Sequence, residues 1–352
     1  MNIQEQERYK RQTILPQIGM EGQLKFKQAR VLVVGAGGLG CPVLQYLVAA
    51  GVGTLGVMDF DKVDLSNLQR QILYGEADLG KSKAQCAAAR LKTMNPHAYI
   101  HCHDQELTAA NALDLLNAYD LIVDGSDNFR TRYLVNDACV ILGKPVVFGS
   151  IFQFEGQVSV FNYKGGPTYR CLYPEPGDTG SCMESGVLGI LPGTIGCLMA
   201  TEVLKIISES GEVLRGKLLV YDALKNTFNT FSFAAQVKNQ ELKSILPFQD
   251  ECMLEIPEIT ADDLRSKLST QAAIRVIDIR EEPEYASGTI ADTFIPMGTL
   301  LDNLNRIPRD IPVILHCQKG SRSRSAVKIL QEQGYRNVWS LEKGIEGYLK
   351  II

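Results

Sequence analysis

The 352-residue sequence lacks the features that would tie it to nucleic acid or to a membrane. It contains no run of basic residues, and its formal net charge is −4, so we expect neither nucleic acid nor an anionic lipid surface as a partner. The polar N-terminus is unlike a secretory signal peptide. We also find no apolar run near the roughly 18 residues that a membrane span needs. These absences predict a cytoplasmic protein without a membrane segment.

A disulfide framework is not indicated either. The nine cysteines are odd in number and scattered along the chain, which fits free thiols in a reducing compartment. The composition, 45% hydrophobic and 22% charged, is that of a globular protein with a sizeable core, and the length favours two domains.

A glycine-rich loop between a strand and a helix is the first motif. The stretch VLVVGAGGLG (31–40) runs from four apolar residues into Gly35, Gly37, Gly38 and Gly40. Glycines at such places let backbone N–H groups approach an anion at a helix N-terminus. A second apolar strand ends at Asp59, about 24 residues after Gly35, where an acid can bind a ribose hydroxyl. The pattern predicts a nucleotide-binding β-α-β unit.

Charged residues near the ends of the later strands favour ATP over NAD. Arg11, Arg70 and Lys83 supply more positive charge than a diphosphate needs, and they suit a triphosphate. Asp127 follows a buried strand, where a carboxylate can hold Mg²⁺ against phosphate oxygens.

The order of predicted elements indicates an α/β fold. Strands alternate with helices up to residue 149, including helices predicted over 82–94 and 107–119, which implies a doubly wound, Rossmann-like parallel sheet. Strands predicted over 157–162 and 217–223 have little helix between them, so we expect antiparallel additions and a mixed sheet.

These motifs make the first part of the chain resemble the MoeB/ThiF family of ubiquitin-activating-like adenylyltransferases. The resemblance is carried by RYKRQ (8–12), GAGGLG (35–40), DFDKVDLSNLQRQ (59–71), GKSKA (80–84), DGSDN (124–128), CLYPEP (171–176) and GVLGILPGTIG (186–196). It implies a homodimer that binds Mg-ATP and adenylates the C-terminal glycine of a ubiquitin-like protein. It assigns the ribose to Asp59, the phosphates to Arg70 and Lys83, Mg²⁺ to Asp127, a further nucleotide contact to Asn67, and the triphosphate of the neighbouring subunit to Arg11.

The sequence departs from this family at its zinc site. Many members bind structural zinc through two Cys-x-x-Cys pairs, but here the first pair would read Thr168-x-x-Cys171, and no such pair follows Tyr221. Because tetrahedral zinc needs four ligands, no zinc site is expected. Cys182 matches a family cysteine that links covalently to the carrier in some members and is dispensable in others, and the sequence leaves both roles open.

Residues 259–349 resemble a rhodanese domain through VIDIREEPEY (276–285), HCQKGSRS (316–323) and YRNVWSLEKGI (335–345). In that family the cysteine at Cys317 carries a persulfide. The loop lies between a strand and a helix N-terminus, and its N–H groups together with Arg322 favour thiolate over thiol. The loop is one residue shorter than that of the related cysteine phosphatases, and this length is typical of sulfur transfer.

We therefore expect an adenylyltransferase domain (1–245), a linker (246–257) and a rhodanese-like domain (258–352). The enzyme would adenylate a ubiquitin-like sulfur carrier ending in Gly-Gly and convert its terminus into a thiocarboxylate, for molybdopterin, thiamin, tRNA thiolation or cysteine. Its sulfur would come from a cysteine desulfurase or thiosulfate.

Three alternatives remain at this point. They are a conjugating enzyme that uses a Cys182 thioester, an NAD(P) oxidoreductase, and a scaffold that binds a carrier without ATP turnover.

Overall fold

A computed structural model describes residues 1–174, 186–246, 256–270 and 273–350. The chain divides into two compact units, Met1–Phe248 and Gln249–Ile352. Each unit is built around its own sheet, and each is described by itself.

The first unit contains a sheet of eight strands. These are β1 (Arg30–Val34), β2 (Thr54–Met58), β3 (Tyr99–His103), β4 (Leu121–Asp124), β5 (Val146–Phe152), β6 (Glu155–Phe161), β7 (Lys217–Asp222) and β8 (Thr227–Ser232). Their order is β3-β2-β1-β4-β5-β6-β7-β8, with β1 to β5 parallel and β6 to β8 antiparallel. The predicted mixed, doubly wound sheet is thus confirmed. The order reverses between β1 and β4, the place where open α/β sheets bind ligands.

Helices cover the parallel part of this sheet. They are α1 (Ile3–Thr13), α2 (Gly19–Gln28), α3 (Gly40–Ala50), α4 (Lys83–Met94), α5 (Ala112–Asn117), α6 (Phe129–Leu142), α7 (Tyr169–Leu172) and α8 (Ile190–Ser208). The helix predicted over 82–94 is α4, which Ser82 caps by accepting a hydrogen bond from the N–H of Gln85. The helix predicted over 107–119 is wrong in extent, since α5 begins only at Ala112.

Helix α8 contradicts the expectation that no segment is long and apolar enough to cross a membrane. By length and composition alone it qualifies. It packs, however, against α3 and against β5 and β6, with Ile195 and Met199 fully buried. A Cβ on Gly149 would collide with Met199, and one on Gly156 would collide with Ile195, so two glycines let the helix lie close to the sheet. Its apolar length is explained by burial on that sheet.

The second unit has a parallel five-stranded sheet. Its strands are β9 (Glu258–Ile259), β10 (Arg275–Asp278), β11 (Thr293–Phe294), β12 (Val313–His316) and β13 (Val338–Leu341), in the order β11-β10-β12-β13-β9. Its helices are α9 (Ala261–Ser269), α10 (Glu282–Ala286), α11 (Ser321–Glu332) and α12 (Gly344–Leu349). The central strand β12 leads directly into Cys317.

Candidate nucleotide and sulfur sites

The glycine loop connects β1 to α3 at the point where the strand order reverses. Gly35 has a φ of 89°, and a Cβ there would lie 2.8 Å from the carbonyl oxygen of Gly125. A Cβ on Gly40 would collide with the carbonyl oxygen of Gly35. Gly37 differs, because its Cβ would meet only Gln71 Nε2, at an ordinary 3.6 Å. The fold itself therefore requires Gly35 and Gly40, whereas Gly37 leaves open space that fits an approaching phosphate.

Asp59, at the end of β2, is fixed against this loop. Its Oδ2 accepts a hydrogen bond of 2.8 Å from the N–H of Ala36, and its Oδ1 accepts one of 2.8 Å from the N–H of Asp61. Burial raises the pKa of Asp59, although these two hydrogen bonds oppose that shift. Each carboxylate oxygen keeps acceptor capacity, so the predicted contact with a ribose hydroxyl is chemically available.

Lys83 begins α4 beside the same loop. Its side chain is buried, with Nζ 2.9 Å from the Oδ2 of the exposed Asp61. The hydroxyl of Tyr74, which the sequence analysis missed, donates to the carbonyl of Ala36 at 2.8 Å and lies 3.3 Å from the carbonyl of Lys83. A tyrosine so placed ties the glycine loop to the start of α4.

Arg70 and Asn67 lie in the polar segment that follows β2. The Arg70 guanidinium donates to the carbonyl of Ser66 at 3.0 Å, and its Cδ lies 3.7 Å from where a Cβ of Gly38 would be. Asn67 accepts a hydrogen bond from the N–H of Asp64, which caps the short 3-10 helix Leu65–Asn67. Arg70 is therefore adjacent to the glycine loop, while Asn67 shapes the segment that carries it.

Asp127 lies in the turn after β4, on the same edge of the sheet as the glycine loop. The two turns meet where Gly125 contacts Gly35. The Asp127 carboxylate is exposed, and within the described ranges no lysine or arginine is paired with it. An unneutralised carboxylate at this edge fits Mg²⁺, which prefers oxygen ligands.

Arg11 is not brought to this site within its own chain. Its neighbour Gln12 donates to the carbonyl of Ala50 at 3.0 Å, and the Tyr9 ring packs on Gly51. Both contacts lie at the C-terminal end of α3, whereas the glycine loop lies at its N-terminal end. A helix of that length spans roughly 16 Å. The neighbours of Arg11 therefore lie at the opposite end of α3 from the glycine loop of the same chain.

The segment that would have carried zinc is held together around a thiol. Cys171 Sγ accepts hydrogen bonds from the backbone N–H of Thr168 at 3.4 Å and of Gln236 at 3.3 Å, and Asn239 Nδ2 lies 3.9 Å away. Burial alone would raise the pKa of Cys171, but these hydrogen bonds lower it on balance. In the part of the chain that the structure describes, no three His, Cys, Asp or Glu side chains form a metal cluster. Cys182 lies outside the described residues.

Cys317 follows β12 at the N-terminus of α11 and is fully buried. Its Sγ accepts a hydrogen bond of 3.1 Å from the N–H of Gly320, and the Ser323 hydroxyl lies 3.7 Å away. Gly320 has a φ of 99°, which suits glycine and turns its N–H toward the sulfur. The Gly320 N–H and the helix N-terminus thus direct positive partial charge toward Sγ.

Arg322, in contrast, is turned to a carboxylate. Its Nη1 donates to Glu284 Oε2 at 2.8 Å, and its Nη2 donates to the other carboxylate oxygen. This bidentate pair lowers the pKa of Glu284, to which the hydrogen bond from Arg322 contributes most. The positive charge expected to support the Cys317 thiolate is therefore largely balanced by Glu284, which the sequence analysis did not identify.

A buried polar network holds the loop from the other side. Arg280 is paired with Asp278 at 2.8 Å and donates through Nη1 to Gln318 Oε1 at 3.0 Å. Gln318 in turn donates to Glu346 Oε1 at 3.0 Å. Thr289 donates to the Asp278 carboxylate at 2.7 Å. The residues Asp278 and Arg280 lie in VIDIREEPEY, so their spacing was visible in the sequence although their contacts were not.

Family models match both halves of the chain. The ThiF family matches residues 9–242, and the rhodanese-like domain matches residues 260–351.

Two of the relatives match along nearly the whole chain, and a third matches about two thirds of it. The "Probable adenylyltransferase/sulfurtransferase MoeZ" of Mycobacterium tuberculosis is 42% identical over 369 residues, covering 99% of this chain and 94% of that protein. The "Adenylyltransferase and sulfurtransferase MOCS3" of Drosophila yakuba is 40% identical, covering 91% of this chain and 78% of that protein. A "Sulfur carrier protein adenylyltransferase" of Thermus thermophilus is 55% identical over 233 residues, covering 64% of this chain and 86% of that protein.

Solved structures share the fold at low identity. MccB of E. coli, crystallised with ATP, aligns with a TM-score of 0.55 at 20% identity, over 61% of this chain and 66% of that one. PaaA aligns with a TM-score of 0.58 at 20% identity, over 67% of this chain and 76% of that one. At this identity the likeness establishes the fold alone.

Proposed function

Because the chain belongs to the ThiF family over residues 9–242 and continues into a rhodanese-like domain, we propose that it activates a ubiquitin-like sulfur carrier with ATP and then transfers sulfur to it. The full-length relatives that share both halves are named as adenylyltransferases and sulfurtransferases. One observation carries the proposal. A glycine loop with open space at Gly37 and a buried cysteine whose sulfur accepts a loop N–H occur in the two units of a single chain.

The first step is adenylation of the carrier's C-terminal glycine. A carboxylate is a poor electrophile because its leaving group would be oxide. Its oxygen therefore attacks the α-phosphate of ATP, the bond to the β-phosphate breaks and pyrophosphate leaves, so that AMP becomes the leaving group of the next step. Such transfer depends on positioning and charge neutralisation. Arg70 and Lys83, beside the glycine loop, neutralise phosphate charge, and Asp59 positions the ribose. When bound, Mg²⁺ would be held by Asp127 and would neutralise further phosphate charge.

The second step is sulfur transfer from Cys317. An upstream donor, a cysteine desulfurase or thiosulfate, leaves one sulfur on Cys317 as a persulfide. The outer sulfur attacks the acyl carbon of the adenylate, a C–S bond forms, the C–O bond to phosphate breaks and AMP leaves. A thiol, either Cys182 or an outside reductant, then cleaves the acyl disulfide. It forms a disulfide with Cys317 and releases the carrier as a thiocarboxylate.

We further propose that the enzyme acts as a cytoplasmic homodimer. The placement of Arg11 away from the glycine loop of its own chain supports this, since its role toward a triphosphate needs a neighbouring subunit. The carriers that fit end in Gly-Gly, and they serve molybdopterin, thiamin or tRNA thiolation pathways.

The test is carrier-dependent ATP–pyrophosphate exchange followed by mass spectrometry of the carrier. Wild-type protein should catalyse exchange only with a carrier ending in Gly-Gly, and with a sulfur donor it should add the mass difference between sulfur and oxygen. Cys317→Ala should keep exchange and lose the thiocarboxylate. Thiocarboxylate formation at the wild-type rate by Cys317→Ala would exclude the second unit from the reaction.

Cys182→Ala separates this proposal from a conjugating enzyme. We expect persulfide loading on Cys317 to persist, and thiocarboxylate yield to fall only without dithiothreitol. A carrier thioester in the wild-type protein that is absent from Cys182→Ala, with no thiocarboxylate formed, would instead favour conjugation.

A further inference from the structure

Two buried polar side chains, Asp124 and Arg132, lie beneath the turn that carries Asp127. Asp124, the last residue of β4, is 2% exposed, and Arg132 in α6 is 8% exposed. Asp124 Oδ1 accepts hydrogen bonds from the N–H of Ser126 at 3.0 Å and from its hydroxyl at 2.6 Å. Arg132 Nη2 donates to the carbonyl of Ser126 at 3.0 Å. Asp124 and Arg132 together therefore hydrogen-bond the N–H, the hydroxyl and the carbonyl of Ser126, the residue before Asp127.

Packing alone does not account for the arginine. Its guanidinium lies over the rings of Phe129 and Phe148, 5.5 and 5.4 Å from their centroids, and its Nε is buried with no hydrogen-bond partner in the described part of the chain. Burying a cation with an unsatisfied donor is costly, and an apolar residue of similar volume is often as stable there. The arginine is therefore better explained by what it holds than by stability.

The restrained turn also abuts the glycine loop. A Cβ on Gly35 would lie 2.8 Å from the carbonyl oxygen of Gly125, and the N–H of Gly125 donates to the carbonyl of Val34 at 2.9 Å, so the two turns pack directly against each other. Ser126 lies between this contact and Asp127, and Asp124 and Arg132 both hydrogen-bond to it. The backbone that leads into Asp127 is consequently restrained from within the protein.

We propose that Asp124 and Arg132 are positioning residues for adenylation, which clamp Ser126 and so aim Asp127 at the metal-bound phosphates. This inference rests on the proposed function, in which Asp127 holds Mg²⁺. Mg²⁺ demands near-ideal octahedral geometry, so a carboxylate whose position is not fixed binds it more weakly. Loosening the clamp should weaken metal binding more than it weakens the fold.

The experiment measures metal binding directly. Mn²⁺ serves as the probe, and loss of its free electron paramagnetic resonance signal reports binding to the complex of full-length protein and ATP without carrier. In Arg132→Lys the planar fork is lost although the charge stays. We expect Mn²⁺ to bind about tenfold more weakly, as for loss of one charge-assisted hydrogen bond. Arg130→Lys, the matched change at an exposed arginine of the same helix, should bind Mn²⁺ like wild type.

A second variant covers failure of the first to fold. Ser126→Ala keeps both buried side chains and removes one hydroxyl, and we expect Mn²⁺ binding about fivefold weaker, within the range for one hydrogen bond. Thermal unfolding of each variant is recorded alongside. If a folded variant unfolds at a lower temperature but binds Mn²⁺ with unchanged affinity, then Asp124 and Arg132 only stabilise the fold, and the inference is overturned.

Asp127→Asn separates this inference from the proposed function. If Asp127→Asn binds Mn²⁺ as well as wild type does, the assignment of the metal to Asp127 fails. If it loses Mn²⁺ while Arg132→Lys and Ser126→Ala keep it, the metal assignment stands and only the positioning role is rejected.

Discussion

Glu284 binds both terminal nitrogens of Arg322, with Arg322 Nη1 2.8 Å from Glu284 Oε2, at the start of the helix that follows the cysteine loop. The pair joins residues 38 positions apart in the sequence. The Glu284 carboxylate is thus beside Arg322, the cation that the sequence motif predicts to stabilise the thiolate. The sulfur site is thus less electropositive than its sequence indicates.

Removing that carboxylate's charge should make Cys317 more reactive. In Glu284→Gln the positive charge of Arg322 is no longer balanced. We expect alkylation of Cys317 by iodoacetamide at pH 7 to accelerate about threefold, the size of a partly exposed ion pair. The rate is followed by mass spectrometry of the Cys317 peptide.

Arg322→Ala provides the opposite control, and its alkylation should not exceed that of wild type. Faster alkylation in both variants would mean that the loop has merely opened. An unchanged rate in Glu284→Gln would show that the pair does not influence the sulfur.

His316 should make the second unit sensitive to mild acid. Burial lowers its pKa to about 4, against an ordinary value near 6.5, even though Asp278 favours the charged form. Between pH 6.5 and about 4 the unfolded chain is protonated at His316 and the folded chain is not. The free energy of unfolding therefore falls as the pH drops below 6.5 and levels off near 4. The full loss is on the order of 3 kcal/mol.

The measurement is the denaturant midpoint of the full chain at pH 7 and pH 5 in wild type and His316→Gln. Between these values few carboxylates titrate, so the wild-type transition of the second unit should fall with pH and that of the variant should fall less. Parallel curves in the two proteins would assign the acid sensitivity to other groups.

Arg70 should be essential to the chemical step but not to the fold. Its guanidinium lies beside the glycine loop and donates only to a carbonyl among its described hydrogen-bond partners. Arg70→Ala should slow ATP–pyrophosphate exchange by about 10²–10³, as for loss of one charge-stabilising donor. Arg90→Ala, at an exposed position on α4, is the matched control. Exchange near the wild-type rate in Arg70→Ala would remove this residue from the site.

Local motifs were the part of the protein that sequence could predict. The glycine loop and the cysteine loop each lie within about ten residues, and their strand-loop-helix geometry follows from glycine placement and hydrophobic pattern. Contacts between distant residues were not predictable, as the pairs Glu284–Arg322 and Arg280–Gln318 demonstrate. Strand β8 was missed because all six of its residues are exposed, which leaves no buried face to produce a clear alternation.

The two segments that would hold a structural zinc are joined around the Cys171 sulfur. Gln236 and Asn239 are spaced like Thr168 and Cys171. The Cys171 sulfur accepts hydrogen bonds from the backbone N–H groups of Thr168 and Gln236 and from the side-chain amide of Asn239. Hydrogen bonds thus join the two segments that a metal would join. We expect far less than one zinc per chain after dialysis against a chelator, measured by elemental analysis. Stoichiometric zinc would show that ligands exist beyond these four positions.

Arg11 provides the test of assembly. Its neighbour Gln12 donates to the carbonyl of Ala50 at the C-terminal end of α3, opposite the glycine loop, so we expect the proposed contact of Arg11 with a triphosphate to occur in a neighbouring subunit. Arg11→Ala and Asp127→Ala should each be inactive in exchange. Mixed in equal amounts, they should recover about a quarter of wild-type activity, because half of the dimers are mixed and each of those has one intact site.

The arithmetic distinguishes action in trans from action in cis. If Arg11 served its own chain, every chain in the mixture would lack one of the two residues, and exchange would stay at the level of the single variants. Subunit exchange is verified independently by giving the variants different tags and counting mixed dimers by native mass spectrometry. Mixed dimers without recovered exchange would contradict the neighbouring-subunit role. A protein that stays monomeric and is active would contradict the dimer itself.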